Sequence, residues 1–425
     1  MRTPRLPSPL LHLCVSILVA AGCAESGRDR AVVPQDEPTS SPARAGRVDL
    51  GEFGYAGFSD EEVDPDEGDG VVLHGDARSY PGYDLYTNIP FSEAILIDSA
   101  GAVVNRWHDP RGVNWERALL LEGGDLLVVG RAKVAPRDGE EQEEASYLAR
   151  LTWESAEVWR IDTPAHHDVS LTPDGRILAL TEEVRHPPGM HADARIRDNV
   201  VLLVSMDGAV EDRLSIYDCL ASDPALELWA RPEPEKDGRW ALFPADLLHV
   251  NSVRSMDLPG LEGSPLHGPD KVVISSRHQD LVAVLDWKRR SVLWRWGRGE
   301  VHKQHEAVPL PNGNLMLLDN NPKRGWSRVL EVDPREDRIV WQYPSRPSGF
   351  FTPARGTAQP LPNGNVLIAN SYAGEGLEVT RAGEVVWRFL NPHYAEGKGG
   401  RASMRIQRFE LELVDAVLAA RAGER

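Results

Sequence analysis

One spacing constrains this chain more than any other feature. At four places a tight turn carries a glycine, and a strand-like run begins eight residues before it. The units are Glu116–Gly130 (ERALLLEGGDLLVVG), His167–Thr181 (HDVSLTPDGRILALT), His305–Asp319 (HEAVPLPNGNLMLLD) and Gly356–Asn370 (GTAQPLPNGNVLIAN). Asn-Gly and Asp-Gly between apolar runs are hairpin turns. Runs such as Leu315–Leu318 are apolar at consecutive positions, as strands buried on both faces are. A second hairpin alternates with the first: Ala94–Trp107, Tyr147–Trp159, Val200–Leu214, Leu281–Trp296, Arg328–Tyr343 and Leu377–Phe389. Its second strand ends in an aromatic in all copies but the third. Two alternating hairpins make four strands per repeat, the signature of a propeller blade. The expected fold is an all-β, six-bladed β-propeller from Val71 to about Leu418. Val71–Asn88 would close the ring with the C-terminal segment Arg401–Leu418, and Leu411–Arg425 reads as helical, with 419–425 a short tail.

The propeller geometry orients the side chains. Call the inner strand A. The Pro-Asp-Gly and Pro-Asn-Gly turns join A to B at one face, so the starts of A and the ends of B meet at the opposite face. His167 and His305 begin A strands there, and His249, in Asp246–Val253 (DLLHVNSV), begins the A strand of the third unit. Arg277 ends that unit's B strand, Lys271–Ser276, at the position held by Arg131, Glu182, Asn320 and Ser371 elsewhere. Three histidines and an arginine should therefore converge at one end of the channel. The connections on that face are the long ones: Ala132–Ser146, Glu183–Asp198, Ser215–Ala245, Gly297–Gln304 and Pro344–Arg355. Long loops on one face of a rigid scaffold commonly build a site.

The ends and the composition bound the setting. Residues 1–23 have a basic start at Arg2 and Arg5 and an apolar run, Leu10–Ala21, too short for a permanent span. The run closes on Val19-Ala20-Ala21-Gly22-Cys23, which resembles a bacterial lipobox with Cys23 as the lipidated residue; an ordinary secretory signal cut near Gly22 is the alternative. Either way the chain is expected in the cell envelope, anchored to a membrane if Cys23 carries lipid. Residues 24–70 are rich in Pro, Ser, Gly and acid and are expected to form a disordered linker. Beyond Cys14 and Cys23 only Cys219 remains, which excludes a disulfide framework or a cysteine metal cluster and reads as a buried apolar cysteine. A net charge of −18 argues against nucleic acid as a partner.

Histidines with an arginine suit an anionic group with several oxygens, because Arg donates in a fork and His serves as nucleophile or acid. A three-histidine metal site competes, yet a neighbouring Arg277 disfavours a metal unless an anion binds too. From Val71 to about Phe409 the chain resembles the bacterial arylsulfate sulfotransferase family. The resemblance rests on His166-His167-Asp168, His249-Val250-Asn251-Ser252, Ser275-Ser276-Arg277-His278, Gln304-His305-Glu306 and the Gly356–Leu367 repeat. It implies a six-bladed propeller that moves a sulfuryl group from a phenolic sulfate to a phenolic acceptor, with no nucleotide sulfate donor and no cofactor or metal. It gives His305 the nucleophile's role, through a sulfated histidine. His167, His249 and Arg277 match the other site residues, with Asn251 and His278 beside the substrate. His166 competes with His167 on sequence, and the eight-residue spacing favours His167. An N-terminal β-sandwich found in well-studied members has no counterpart before Val71, and Met256–Gly268 lengthens the gap before Arg277. A non-catalytic envelope scaffold and a metal-dependent propeller hydrolase are the alternatives.

Overall fold

The computed structural model describes residues 57–423, apart from 60–62, 65, 135–142, 192, 230–242, 345–348 and 396–399. Cys23, the leader 1–23 and residues 24–56 of the expected linker lie outside the described residues. Six antiparallel sheets form the six blades, each ordered from an inner to an outer strand. The inner strands are Met404–Phe409 in blade 1, Gly112–Leu120 in blade 2 and Val169–Leu171 in blade 3. Those of blades 4, 5 and 6 are Val250–Ser255, His305–Pro309 and Thr357–Pro360.

Ring closure divides the N-terminal segment in two. Tyr83–Asn88 pairs with Met404–Phe409, so the last strand of the chain is the innermost strand of the first blade. Gly70–Leu73 goes elsewhere, adding a fifth strand to the outer edge of blade 6 by pairing with Val385–Leu390. Blade 1 is thereby completed, and each inner strand is left with only a short, protected edge, which is how propellers avoid edge-to-edge association. The helix Leu411–Gly423 follows, seating Val414 and Val417 in the core and running through the 418 boundary expected from sequence. Some of the stretch read as linker is also tied down. Gly57 and Ser59 exchange backbone hydrogen bonds with Ser403 and Arg401, and the Asp69 and Glu67 carboxylates pair with Arg401 and Arg388.

Five tryptophans of the outer strands have a specific job. Each sends its indole N–H to a carbonyl in the outer hairpin turn of the next blade: Trp107 to Thr152, Trp159 to Met206, Trp296 to Asp337, Trp341 to Arg381 and Trp387 to Ser99. Each latch satisfies a donor that burial would otherwise strand. Blade 3, whose copy ends in Leu214, has none to give. There the bond runs backwards, from Trp287 of blade 4 to the Asp212 carboxylate at 2.6 Å. Cys219 is fully buried in the short helix Ile216–Ala221, and burial pushes its thiol up to about 12, as an inert core cysteine requires.

Candidate active site

The inner strands do not start flush. In blade 2 the ladder skips Glu116 between Trp115 and Arg117, and in blade 4 it skips Asn251 between Val250 and Ser252. In blade 3 His167 loops out, with φ of 58°, between backbone bonds that His166 and Asp168 make to Leu180. In blade 5 the irregularity falls just after His305, at Glu306, with φ of 53°. A bulge adds one residue and re-aims its side chain. Four adjacent blades thus share one device at the face where the long loops gather.

The register also corrects one equivalence. Asp168 accepts the backbone N–H of Val253 in the next blade, and Ser252 accepts that of Ala307, so Asp168 and Ser252 hold the same position. The residue matching His167 and His305 in blade 4 is therefore Asn251, and His249 stands two residues earlier, in the approach to the strand. It too has a left-handed φ, 47°, a conformation that is uncommon away from glycine and concentrates at functional sites. His249 still reaches the cluster. Its ring centroid lies 4.9 Å from that of His167 and 4.6 Å from that of His278.

Hydrogen bonds fix the proton on most of these rings. The amide nitrogen of Asn320 donates to the carbonyls of Thr352 and Arg355, at 2.8 and 2.7 Å. Its oxygen must then face His305 Nδ1, 2.7 Å away. His305 is accordingly protonated on Nδ1, and its lone pair is on Nε2. Burial and then the Arg277 charge hold its pKa well below 6.5, so the ring is neutral. On His166, Nε2 faces the Asn199 amide nitrogen, because the Asn199 oxygen accepts the Val250 N–H. His166 Nδ1 then donates to His167 Nδ1 at 2.8 Å, leaving His167 with its proton on Nε2. His166 is thus the support and His167 the presented ring, the order the spacing favours. Burial, then His249, keep His167 neutral.

His249 forms a dyad. Its Nδ1 lies 2.6 Å from the Asp246 carboxylate, which also accepts its backbone N–H. Burial works to raise the Asp246 pKa, but the bond from His249 overrides it and brings the value down to about 2. His278 donates from Nδ1 to the Asp246 carbonyl and meets Arg277 Nη1 at Nε2, 3.1 Å away. Burial, then His249, lower its pKa to about 4. Asp246, His249 and His278 are the one grouping among the described residues close enough to share a metal ion. The donors do not fit one. His278 has both nitrogens engaged, one of them by a guanidinium.

The surroundings hold this cluster still. Arg277 opens a 3-10 turn, Arg277–Gln279, and its N–H bonds the His249 carbonyl. Gln304 reaches back to the carbonyls of Ser276 and Leu281, and Asn251 Nδ2 donates to the Gln304 carbonyl at 2.9 Å. Asp280 accepts the Lys303 N–H and faces His302 Nδ1. At the rim, burial and then Arg277 lower the Lys303 pKa, with Lys323 adding to the effect. Arg277, Lys303 and Lys323 thus act on one another in this region, with Asp280 and Asp246 as counter-charges, on a chain of net charge −18.

Sequence reasoning missed Asp246, Asn199 and Asn320 as orienting groups. Asp246 precedes His249 by three residues in a segment already singled out, and Asn320 holds the Arg277 position in blade 5; both were readable as polar partners of histidines. Asn199, 51 residues from Val250, had no sequence signal.

A family model described as arylsulfotransferase (ASST) matches residues 145–392, more than half of the chain. The chain belongs to the arylsulfotransferase family. The match spans His167, His249, Arg277 and His305 and ends before the closing strand. No curated protein matches this arylsulfotransferase-family chain. Among solved structures, a protein of unknown function from Bacteroides caccae is similar at 14% identity and a TM-score of 0.50, over 78% of this chain and 100% of that one. It shares the fold. Virginiamycin B lyase from Staphylococcus aureus is similar at 8% identity, with a TM-score of 0.36 over 67% of this chain and 72% of that one. Its catalytically inactive variant with quinupristin also matches at 8%, with a TM-score of 0.42 over 82% and 95%.

Proposed function

We propose that this arylsulfotransferase-family protein transfers a sulfuryl group from a phenolic sulfate ester to a phenolic acceptor, without a nucleotide donor, through a sulfated His305. The observation that carries the reading is the fixed proton on His305. A neutral imidazole with its lone pair held on Nε2 is a ready nucleophile, and the nearby Arg277 suits a group with three charged oxygens.

In the first half-reaction His305 Nε2 attacks sulfur, an N–S bond forms, and the S–O bond to the aryl group breaks. As general acid, His249, faced by Asp246, gives a proton from Nε2 to the departing phenolate. In the second, neutral His249 takes the acceptor's proton as that phenol attacks sulfur and the N–S bond breaks. The Asp246 carboxylate offsets the imidazolium charge, the role a carboxylate plays behind a catalytic histidine. His167 Nε2–H, Asn251 and Arg277 hold the sulfuryl oxygens through both steps, and His278 keeps Arg277 in place.

The test is incubation with 4-nitrophenyl sulfate and excess phenol, following nitrophenolate release, with mass spectrometry after donor alone. Added sulfuryl mass on the peptide carrying His305 is expected. Failure to cleave any aryl sulfate would leave the envelope-scaffold alternative in possession. We also propose that the chain is exported and lipid-anchored at Cys23, facing the periplasm or the cell surface. Cys23→Ser should abolish lipid labelling and membrane fractionation; unchanged fractionation would refute it.

A further inference from the structure

One residue further along the inner strands from the histidine level lies a second ring: Arg117, Asp168, Ser252, Glu306, Thr357 and Arg405. Pairing fixes the layer. Arg117 faces Val129, Ser252 faces Ser275, Thr357 faces Ala369 and Arg405 faces Thr87, each five residues or the equivalent step beyond the inner turn. Strand rise puts this layer only about 3.3 Å from the histidines. All six residues are buried, with Arg117 7% and Arg405 6% exposed.

Within the ring two guanidiniums face two carboxylates, and a third guanidinium competes for them. Arg254 reaches in from the next inward position and pairs with both Asp168 and Glu306. With that pair committed, Arg117 stands 3.5 Å from Asp168 and 3.7 Å from Glu306, and Arg405 stands 3.9 Å from Glu306. At this layer three guanidiniums thus share two carboxylates, and the third carboxylate acting on Arg405, that of Glu116, belongs to the layer of the histidines. Arg405 Nε and Nη1 and Arg117 Nε, all buried, have no protein acceptor within hydrogen-bond reach. Glu116, at the histidine level, spends one oxygen on the His167 N–H at 2.6 Å. A buried guanidinium with idle donors is costly unless something accepts from it. Native proteins rarely keep one without a use. Arg405 follows Met404, the residue at the histidine level of its own strand, so it stands in the layer directly beneath His167 and His305.

We propose that Arg405 is a second anion-binding guanidinium of the site, holding sulfuryl oxygens from the channel side while Arg277 holds them from the loop side. This rests on the sulfuryl-transfer reading for its substrate, but the binding of a tetrahedral oxyanion does not. Arg405 brings planar, forked donors that match two oxygens of one group, and it offsets negative charge where water is excluded.

The experiment is a calorimetric titration of the full folded chain with sodium sulfate, against sodium chloride at matched ionic strength, for wild type, Arg405→Gln and Arg405→Lys. Wild type should bind one sulfate. Arg405→Gln should bind it at least about tenfold more weakly, and Arg405→Lys should fall between, since an ammonium keeps the charge but not the fork. No sulfate binding by wild type, or wild-type affinity in a folded Arg405→Gln, overturns the proposal. If Arg405→Gln does not fold, Arg405→Lys decides: sulfate affinity and donor KM both unchanged overturn it. Aryl sulfate turnover is measured on the same preparations. Sulfate binding that depends on Arg405 without turnover sustains this inference and removes the transfer reading. Turnover with sulfate affinity indifferent to Arg405 does the reverse.

Discussion

Blades 3 to 5 and blades 6, 1 and 2 share one backbone plan and fill it differently. At the level of the bulges the first group places His167, Asn251 and His305, with His249 and Arg277 on the approaches. At the same level the second group places Gly356, Met404 and Glu116. Nothing in the β ladder forces this split; the hydrogen bonds of a blade are indifferent to what stands at the head of its inner strand. Half of the ring carries the polar chemistry, and the other half shapes the space and contributes charge from one residue deeper, through Arg117 and Arg405.

The largest expected effect breaks the reactive half outright. His305→Ala should lose donor cleavage by about three orders of magnitude or more, with excess acceptor giving no recovery, because the two-step route goes with the nucleophile. Stopped nitrophenolate release in a variant with wild-type circular dichroism is the check; comparable activity would sink the assignment. Asn320→Ala should come next, at roughly a hundredfold or more, since a histidine free to swap tautomers presents the wrong nitrogen part of the time. Asn320→Asp, which keeps an acceptor, should recover part of that loss, and absence of recovery would argue for a packing role instead. Arg277→Lys should cost roughly a hundred- to a thousand-fold in rate, with substrate affinity reduced as well. On the other half, Glu116→Gln should change turnover by less than about tenfold, since it removes a charge but keeps the acceptor for the His167 N–H. A loss as large as that of His305→Ala would erase the distinction between the halves.

The smallest expected effect is on stability against pH. His278 has its folded pKa pulled down to about 4 from 6.5. Its neutral form is the one the fold favours, so its contribution is complete above pH 6.5 and is lost as pH falls toward 4. Urea midpoints of wild type should drop over that window more steeply than those of His278→Gln. Parallel curves would show that burial beside His249 does not discriminate between the protonation states of the ring.

The fold was legible because its repeats are local. Asn-Gly and Asp-Gly turns, an eight-residue offset and alternating hairpins are all written within fifteen residues or so, and each restates the same blade. The histidines were legible for the same reason, as departures from a repeated slot. What escaped depended on partners brought together by the ring. Asn199 orients His166 from another strand of its blade, and Asn251 takes the place assigned to His249 only once a bulge and an inter-blade bond to Val253 are counted. Arg405 escaped because its strand has no turn of its own: its hairpin partner is Tyr83–Asn88, from the opposite end of the chain, so no spacing could point to it.

That closing strand sets a schedule. A chain that emerges from its N-terminus, as every chain does during synthesis, delivers Tyr83–Asn88 long before Met404–Phe409. Throughout that interval blade 1 has an unpaired inner edge, open to association with any other strand that passes. The last strand to arrive covers that edge and brings Arg405 with it. A product that stops at the end of the sixth blade would carry all five of His167, His249, Asn251, Arg277 and His305 and yet lack the charge behind them. Arrival of the closing strand, then, acts as a checkpoint: the edge of Tyr83–Asn88 is covered and Arg405 is delivered to the channel in the same event.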